Sequence, residues 1–276
     1  MAGKIFVVGT PIGNLEDFSP RAKRILEQVD FIAAEDTRVT SKLLNHFGIK
    51  KETVSYYEHN KAQKGEYLIR RVLEGEDLAI VSDAGMPAIS DPGEDLVREA
   101  HKSGIKVESV PGPSALITAL SISGFPSGRF CFEGFLSVNR ISRINHLECI
   151  KNETRTLIFY EAPHKLLKTL NDMREYLGER DICIIKELTK IHETVFHFNF
   201  TEAIDYFTDN PPRGEYVLII RGAEFRAELP EFDLSSAAEL ARKLTKEGMS
   251  ASAAAKEAAS ISGLKKGDIY KALIEN

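Results

Sequence analysis

Short apolar runs at Ile5–Val8, Phe31–Ala34 and Leu78–Val81, and a mixed run at Lys106–Val110, read as strands separated by stretches of helical spacing. Ser19-Pro20 opens the first helix, with Ser as N-cap and Pro at the first helical position. Ala22, Ile25, Leu26 and Val29 then recur on one face. Further helices are expected over Thr40–Phe47, ended by Gly48, over Tyr67–Leu73, and over Gly93–Ser103, ended by Gly104. Short strands alternating with helices predict a parallel sheet covered on both faces. Pro111-Gly112-Pro113 breaks the chain, Ser114–Ser121 reads as a buried helix, and the turn-rich Gly124–Gly128 marks a boundary. Beyond it, Phe130–Phe132, Thr156–Tyr160, Ile182–Lys186, Thr194–Phe200 and Glu215–Ile220 are rich in β-branched and aromatic residues. With a helix over Lys165–Leu177, they predict a second α/β domain with a mixed sheet. Ala223–Leu234 reads as an acidic linker. Ala-rich helices near Ala237–Lys246, Ala251–Ser260 and Lys265–Ile274, with a turn at Gly263, form either a small helical cap or a helix-turn-helix. The expected organisation is residues 1–123, 124–222 and a helical region at 235–276.

With 276 residues, 43% hydrophobic and 28% charged, the chain has material for real cores and is not disordered. The net charge of −5 argues against a protein coated in basic surface. The charge is nevertheless uneven. Arg38–Arg71 carries eight bases against three acids, Val72–Gly128 three against nine, Arg129–Lys168 seven against four, and Ser235–Asn276 seven against five. Local positive stretches therefore remain available to a polyanion. Cys131, Cys149 and Cys183 are far apart with no C-x-x-C, so neither a disulfide framework nor a zinc site is expected. The first residues lack a signal-peptide core, and no apolar stretch reaches the roughly 18 residues of a membrane span. A cytoplasmic protein that touches no membrane is expected.

In open α/β sheets, ligands bind beyond the carboxyl ends of the strands. Three loops occupy such places. Gly9-Thr10-Pro11-Ile12-Gly13-Asn14 has glycines that admit a ligand close to the backbone, but it is neither a dinucleotide fingerprint nor a phosphate loop. Ser82–Gly93 is long and stiffened by two prolines, with Asp83, Gly85, Met86 and Ile89 among its residues. Asp91 there suits N-capping of the following helix. Pro111–Ala115 leads into a helix N-terminus able to receive a carboxylate, with Ser114 a cap rather than a nucleophile.

These loops, with Ala33-Ala34-Glu35-Asp36-Thr37-Arg38, resemble the tetrapyrrole-methylase-type superfamily. More narrowly they resemble its branch that methylates small-subunit ribosomal RNA, through Tyr57-Glu58-His59-Asn60, Phe132–Leu136, Leu157–His164, Lys186–Lys190 and Arg213-Gly214-Glu215. Tyr57 is one departure, standing where that pattern has His. The resemblance spans about residues 4–222. It implies two α/β domains with a cofactor cleft between them, a homodimer, and S-adenosylmethionine-dependent methylation of the ribose 2′-oxygen of a cytidine in the decoding centre of 16S rRNA. It places the cofactor against Pro11, Met86, Ile89, Ser114, Ala115, Tyr160, Leu188 and Gly214. Gly13, Asp83 and Gly85, from the same loops, complete the expected cofactor set, and no metal is needed.

Methyl transfer to a hydroxyl requires in-line positioning and removal of a proton. Glu35, Asp36 and Arg38 follow a strand end, where a carboxylate could take the proton and the guanidinium could hold a phosphate. Lys186 is a further candidate base. Arg38, Glu58, His59, Asn60 and Arg140 are the expected RNA contacts, and the alternating aromatics Phe196, Phe198 and Phe200 are strand faces or stacking surfaces. A small-molecule methyltransferase acting on a corrin or porphyrin precursor, and a non-catalytic RNA- or ribosome-binding factor, are the alternatives.

Overall fold

Four residues suffice for two of the three inner strands of the first sheet because neither of its faces meets water. The structure, a computed structural model, describes residues 2–91, 93–224 and 233–274. Most of the expected acidic linker, and Pro92, lie outside the described residues. Strands β1 (Lys4–Val8), β2 (Phe31–Ala34), β3 (Glu52–Ser55), β4 (Leu78–Val81) and β5 (Lys106–Val110) pair in parallel in the order β3-β2-β4-β1-β5. Their connections include α1 (Pro20–Gln28), α2 (Thr37–His46), α3 (Lys61–Leu73) and α4 (Gly93–Lys102).

The period of two along a strand sorts these side chains into two cores. Ile5, Val7, Phe31, Ala33, Leu78 and Ile80 pack with Leu68 and Val72 of α3 and Leu96 and Ala100 of α4. Phe6, Val8, Ile32, Ala34, Ala79 and Val81 pack with Ala22 and Leu26 of α1 and Leu44 of α2. Strand β3 escaped the sequence reading because its edge position buries only Val54. Helix α2 begins three residues before its expected start, since the Asp36 carboxylate accepts the Arg38 N–H at 2.8 Å and caps it.

The second sheet contains β6 (Phe130–Phe135), β7 (Thr156–Glu161), β8 (Asp181–Lys186), β9 (Thr194–Asn199) and β10 (Tyr216–Ile220). Their order is β6-β7-β10-β8-β9, with only β6 and β7 parallel. Helix α5 (Ala115–Ile122) lays Leu116, Ala119 and Leu120 on one face, against Ile158, Cys183, Ile185 and Val217. The expected burial of this helix holds for that stripe alone, because Ile117 and Ile122 are exposed. The opposite face carries α6 (Arg140–Cys149), α7 (Leu166–Leu177) and α8 (Phe200–Asp209). Phe200, read as the end of a strand, instead starts α8. A capping box draws the chain into helix there: Asn199 Oδ1 accepts the Glu202 N–H and Glu202 Oε2 accepts the Asn199 N–H, each at 2.8 Å.

One charged pair lies inside this layer. Arg143 Nε donates to Asp172 Oδ2 at 2.6 Å, and its Nη1 donates to the carbonyls of Ser137 (2.9 Å) and Val138 (3.2 Å). Both side chains are buried, so the guanidinium fixes the β6–α6 loop from beneath.

Residues 1–223 form one compact unit, and residues 224–276 another. The second is built of α9 (Leu234–Lys246), α10 (Ala251–Ser262) and α11 (Lys266–Ile274) around Ala237, Ala241, Ala254, Ala255, Ala258 and Ile269. Among the described residues, no helix is long and apolar enough to cross a membrane.

Candidate active site

The carboxyl ends of β1, β4 and β5 are drawn together mainly by backbone hydrogen bonds. Gly9 N donates to Val110 O at 3.1 Å, and Thr10 and Gly85 exchange N–H···O bonds of 2.9 and 3.1 Å. The buried Thr10 hydroxyl donates to Ser82 O at 3.3 Å. A Cβ on Gly9 would stand 2.7 Å from the Gly112 Cα and from the Met86 sulfur, so two loops meet there with no room for a side chain. Gly9→Ala must therefore push backbone apart. A loss of about 1–3 kcal/mol is expected, read as a lowered denaturation midpoint with an unchanged slope.

Above this junction opens a cavity of about 550 Å³, within the range of small-molecule sites. Eight of the expected cofactor residues line it: Asp83, Gly85, Met86, Ile89, Ser114 and Ala115 from the first half, and Tyr160 and Leu188 from the second. Pro11, Gly13 and Gly214 do not. Gly13 abuts Lys190, and Gly214, at φ 84°, lies where a Cβ would come 2.5 Å from Glu187 Oε1, so these two glycines close loops behind the wall. Ile12, Phe135, Glu161, Ile185 and Val217 also line the cavity and were not singled out from sequence. Ile185 and Val217 could have been found as cavity-side residues near the ends of apolar strands.

Two loops at the cavity carry the four non-glycine residues that have positive φ among the described residues: Ala88 (66°), Ser90 (64°), Glu187 (53°) and Thr189 (66°). Such backbone persists only where its surroundings hold it. Asp91 Oδ1 accepts the N–H groups of Ala88 (2.9 Å) and Gly93 (2.8 Å), stapling the first loop while capping α4. Glu187 Oε1 accepts the Glu215 N–H at 2.9 Å and Lys190 Nζ at 3.0 Å, stapling the second. The two halves are joined where the Tyr160 hydroxyl accepts the Leu116 N–H at 3.0 Å, at the start of α5. Ser114, at that N-cap, makes no side-chain cap bond and faces the cavity.

The charged groups separate by environment. Glu35 lines the cavity, and its carboxyl holds its proton above the usual range, first through burial and then through Asp83 and Asp91. Asp83 is raised as well, again mainly by burial, and its Oδ1 accepts the Asp36 N–H at 3.0 Å. Asp36 behaves oppositely. Arg38 donates to it through Nε at 3.0 Å and Nη2 at 2.6 Å, which holds its carboxyl down at about 2. The Arg38 side chain is 87% exposed, so this pair faces solvent. Lys186, at the end of β8, does not line the cavity.

The expected RNA contacts lie elsewhere in the same unit. Asn60 holds the β3–α3 turn, accepting the Tyr57 N–H at 2.9 Å and donating to Ser55 O at 3.1 Å. Glu58 pairs with Lys61 at 2.7 Å, while His59 is exposed beside Tyr57. Arg140 is exposed at the start of α6. The aromatics of β9 pack on one another and on Tyr206, with Phe196–Phe198 at 5.7 Å and Phe198–Tyr206 at 5.4 Å, and Phe200 is buried. They serve the core rather than a stacking surface. Among the described residues, no three His, Cys, Asp or Glu side chains gather as metal ligands would.

The sequence pattern of the tetrapyrrole (corrin/porphyrin) methylases matches residues 4–204, and that of the RsmI C-terminal HTH domain matches residues 232–276. Three curated proteins named ribosomal RNA small subunit methyltransferase I are similar throughout. The Synechocystis protein is 43% identical over 99% of this chain and 98% of its own length. The Pseudomonas aeruginosa protein is 45% identical over 99% and 98%. The Thermotoga maritima protein is 47% identical over 80% of this chain and 100% of its own, its 222 aligned residues approaching the length of the first unit. Among solved structures, diphthine synthase superposes with a TM-score of 0.65 at 14% identity, over 80% of this chain and 90% of that one. Uroporphyrin-III C-methyltransferase from Thermus thermophilus, complexed with S-adenosyl homocysteine, gives 0.55 at 19%, over 79% and 97%.

Proposed function

We propose, because the chain belongs to the ribosomal RNA small subunit methyltransferase I family, that it transfers the methyl group of S-adenosylmethionine to the ribose 2′-oxygen of a cytidine in 16S rRNA. The observation that carries this reading is a cavity of cofactor size with the partly buried Glu35 carboxylate in its wall. The residues suit the cofactor. Ile12, Ala115, Leu188 and Val217 offer an apolar bed for a flat base, and the start of α5 with the uncommitted Ser114 hydroxyl offers a carboxylate its partners. When bound, S-adenosylmethionine supplies an electrophilic methyl group on its sulfonium.

The chain then has three tasks. The apolar walls exclude water. The stapled Ala88–Asp91 and Glu187–Lys190 loops hold the cavity's shape without reorganisation. Glu35 takes the hydroxyl proton onto a carboxylate oxygen, a role its raised proton affinity favours over Asp36, which Arg38 keeps ionised. Lys186, away from the cavity, and Asp36 are assigned supporting places. Arg38, His59 and Arg140 are assigned to RNA phosphates or edges. The same reading carries a homodimer in the cytoplasm and a division of the first unit near residue 124.

Glu35 works as a base only when ionised, so turnover should fall as pH drops through a value above the ordinary glutamate pKa of 4.5. Asp83→Asn removes the largest charge contribution to that elevation while keeping an acceptor for the Asp36 N–H. The acidic limb of kcat against pH should move downward, and an unmoved limb would assign the proton to another group. The function itself is tested by incubating purified small subunits with the full chain and methyl-labelled cofactor. Label should map to one cytidine ribose. Label on a base, or none in RNA, rejects the reading.

A further inference from the structure

The rim of the cavity carries an aromatic ring that the first unit holds in place yet leaves uncovered. Phe135 ends β6 just after a bulge, where the register against β7 shifts between Phe132 and Gly134. Gly134 has φ 64°, and a Cβ there would lie 3.4 Å from Ser90 Oγ, so the strained loop and the end of β6 meet at this lip. Glu133, beside the bulge, is fixed by His146 Nε2 at 2.8 Å. The turn that follows is clamped by Arg143 through the Ser137 and Val138 carbonyls.

The ring itself is set from two sides. Tyr160 meets it edge-on at 5.5 Å, and Lys165 Nζ stands 5.5 Å from its centroid while paired with the buried Glu161 at 3.0 Å. Phe135 is nonetheless 56% exposed, and Ile89, on the facing loop, 48%. A small ligand in such a site is mostly engulfed. An oriented, half-open ring at the mouth therefore suits something that arrives from outside and stays partly in water. Flat bases of unpaired nucleotides stack on such rings, and the neighbouring charge supports rather than blocks them.

Resting on the RNA-methylation reading above, we propose that Phe135 is the platform on which the base of the target nucleotide stacks while its ribose enters the cavity. It is a positioning residue: the ring fixes the base and thereby the hydroxyl, and takes no proton. The ring could otherwise serve the adenine of the cofactor, and the test separates the two.

The experiment compares full-length Phe135→Ala, Phe135→Leu and Phe135→Tyr. It measures KM and kcat with small ribosomal subunits, and the Kd of S-adenosylhomocysteine by calorimetry. Loss of one stacked base should raise KM for subunits roughly 5- to 150-fold in the Ala and Leu variants. The Kd of S-adenosylhomocysteine should not change, and Tyr should restore the wild-type KM. A Leu variant as good as wild type would reduce the contact to simple burial and overturn the proposal. So would an unchanged KM in Phe135→Ala, or a loss of S-adenosylhomocysteine binding that accounts for the KM effect. Failure of the wild type to label RNA would instead strike the underlying function, and this proposal with it.

Discussion

Glu35→Gln lowers the single-turnover rate of methyl transfer by roughly 10²–10⁴-fold, the usual contribution of a positioned base. The amide keeps the shape and hydrogen-bonding reach of the carboxyl at the end of β2 but cannot accept the proton. Because the cavity walls are otherwise untouched, S-adenosylhomocysteine should bind as before by calorimetry. Two observations separate this carboxylate from Asp36. It lines the cavity, and burial together with Asp83 and Asp91 keeps its proton affinity high. Asp36, one residue on, is committed to capping α2 and to Arg38. Asp36→Asn should consequently disturb the helix start more than the chemistry. A fall of less than tenfold for Glu35→Gln at saturating substrate would remove Glu35 from the base role.

Arg143→Met destabilises the first unit by about 3–5 kcal/mol, the range found when one member of a buried pair is removed. The substitution leaves the Asp172 carboxylate inside the layer between α6 and α7 without its cation, and it frees two carbonyls of the β6–α6 turn. Chemical denaturation reads the loss directly. The double variant Arg143→Met/Asp172→Leu should recover most of it, because an apolar pair of similar volume needs no compensation there. If the double variant were as weak as the single, the clamp on Ser137 and Val138 would be the larger contribution.

Apolar runs with hard stops were the legible part of the fold. β2 and β4 coincide with the expected runs because all four residues of each are buried, so the sequence pattern has nothing else to encode. Elements decided by a single side-chain bond were not visible. Asp36 moves the start of α2, the Asn199–Glu202 capping box converts the end of a strand reading into α8, and edge strand β3 has one buried residue to announce it. The site divides along the same line. The Gly- and Pro-rich loops could be placed at strand ends from spacing alone, and six of their proposed ligand contacts surround the cavity. Phe135 and Glu161 could not be, since their positions depend on a β-bulge and on the order in which antiparallel strands assemble.

Strand β1 stands between β4 and β5, the two strands of its sheet that are made last. At the pace of translation, roughly 5–20 s separate the appearance of Ile5–Val8 from that of Val110. Until Val81 is made, roughly 4–15 s into that interval, β1 has neither partner. The nascent chain thus carries an unpaired apolar strand in its first seconds, and the first sheet is completed at its β5 edge only once residue 110 is made. The second sheet, whose β8 and β9 are a near-sequential antiparallel pair, has no such wait.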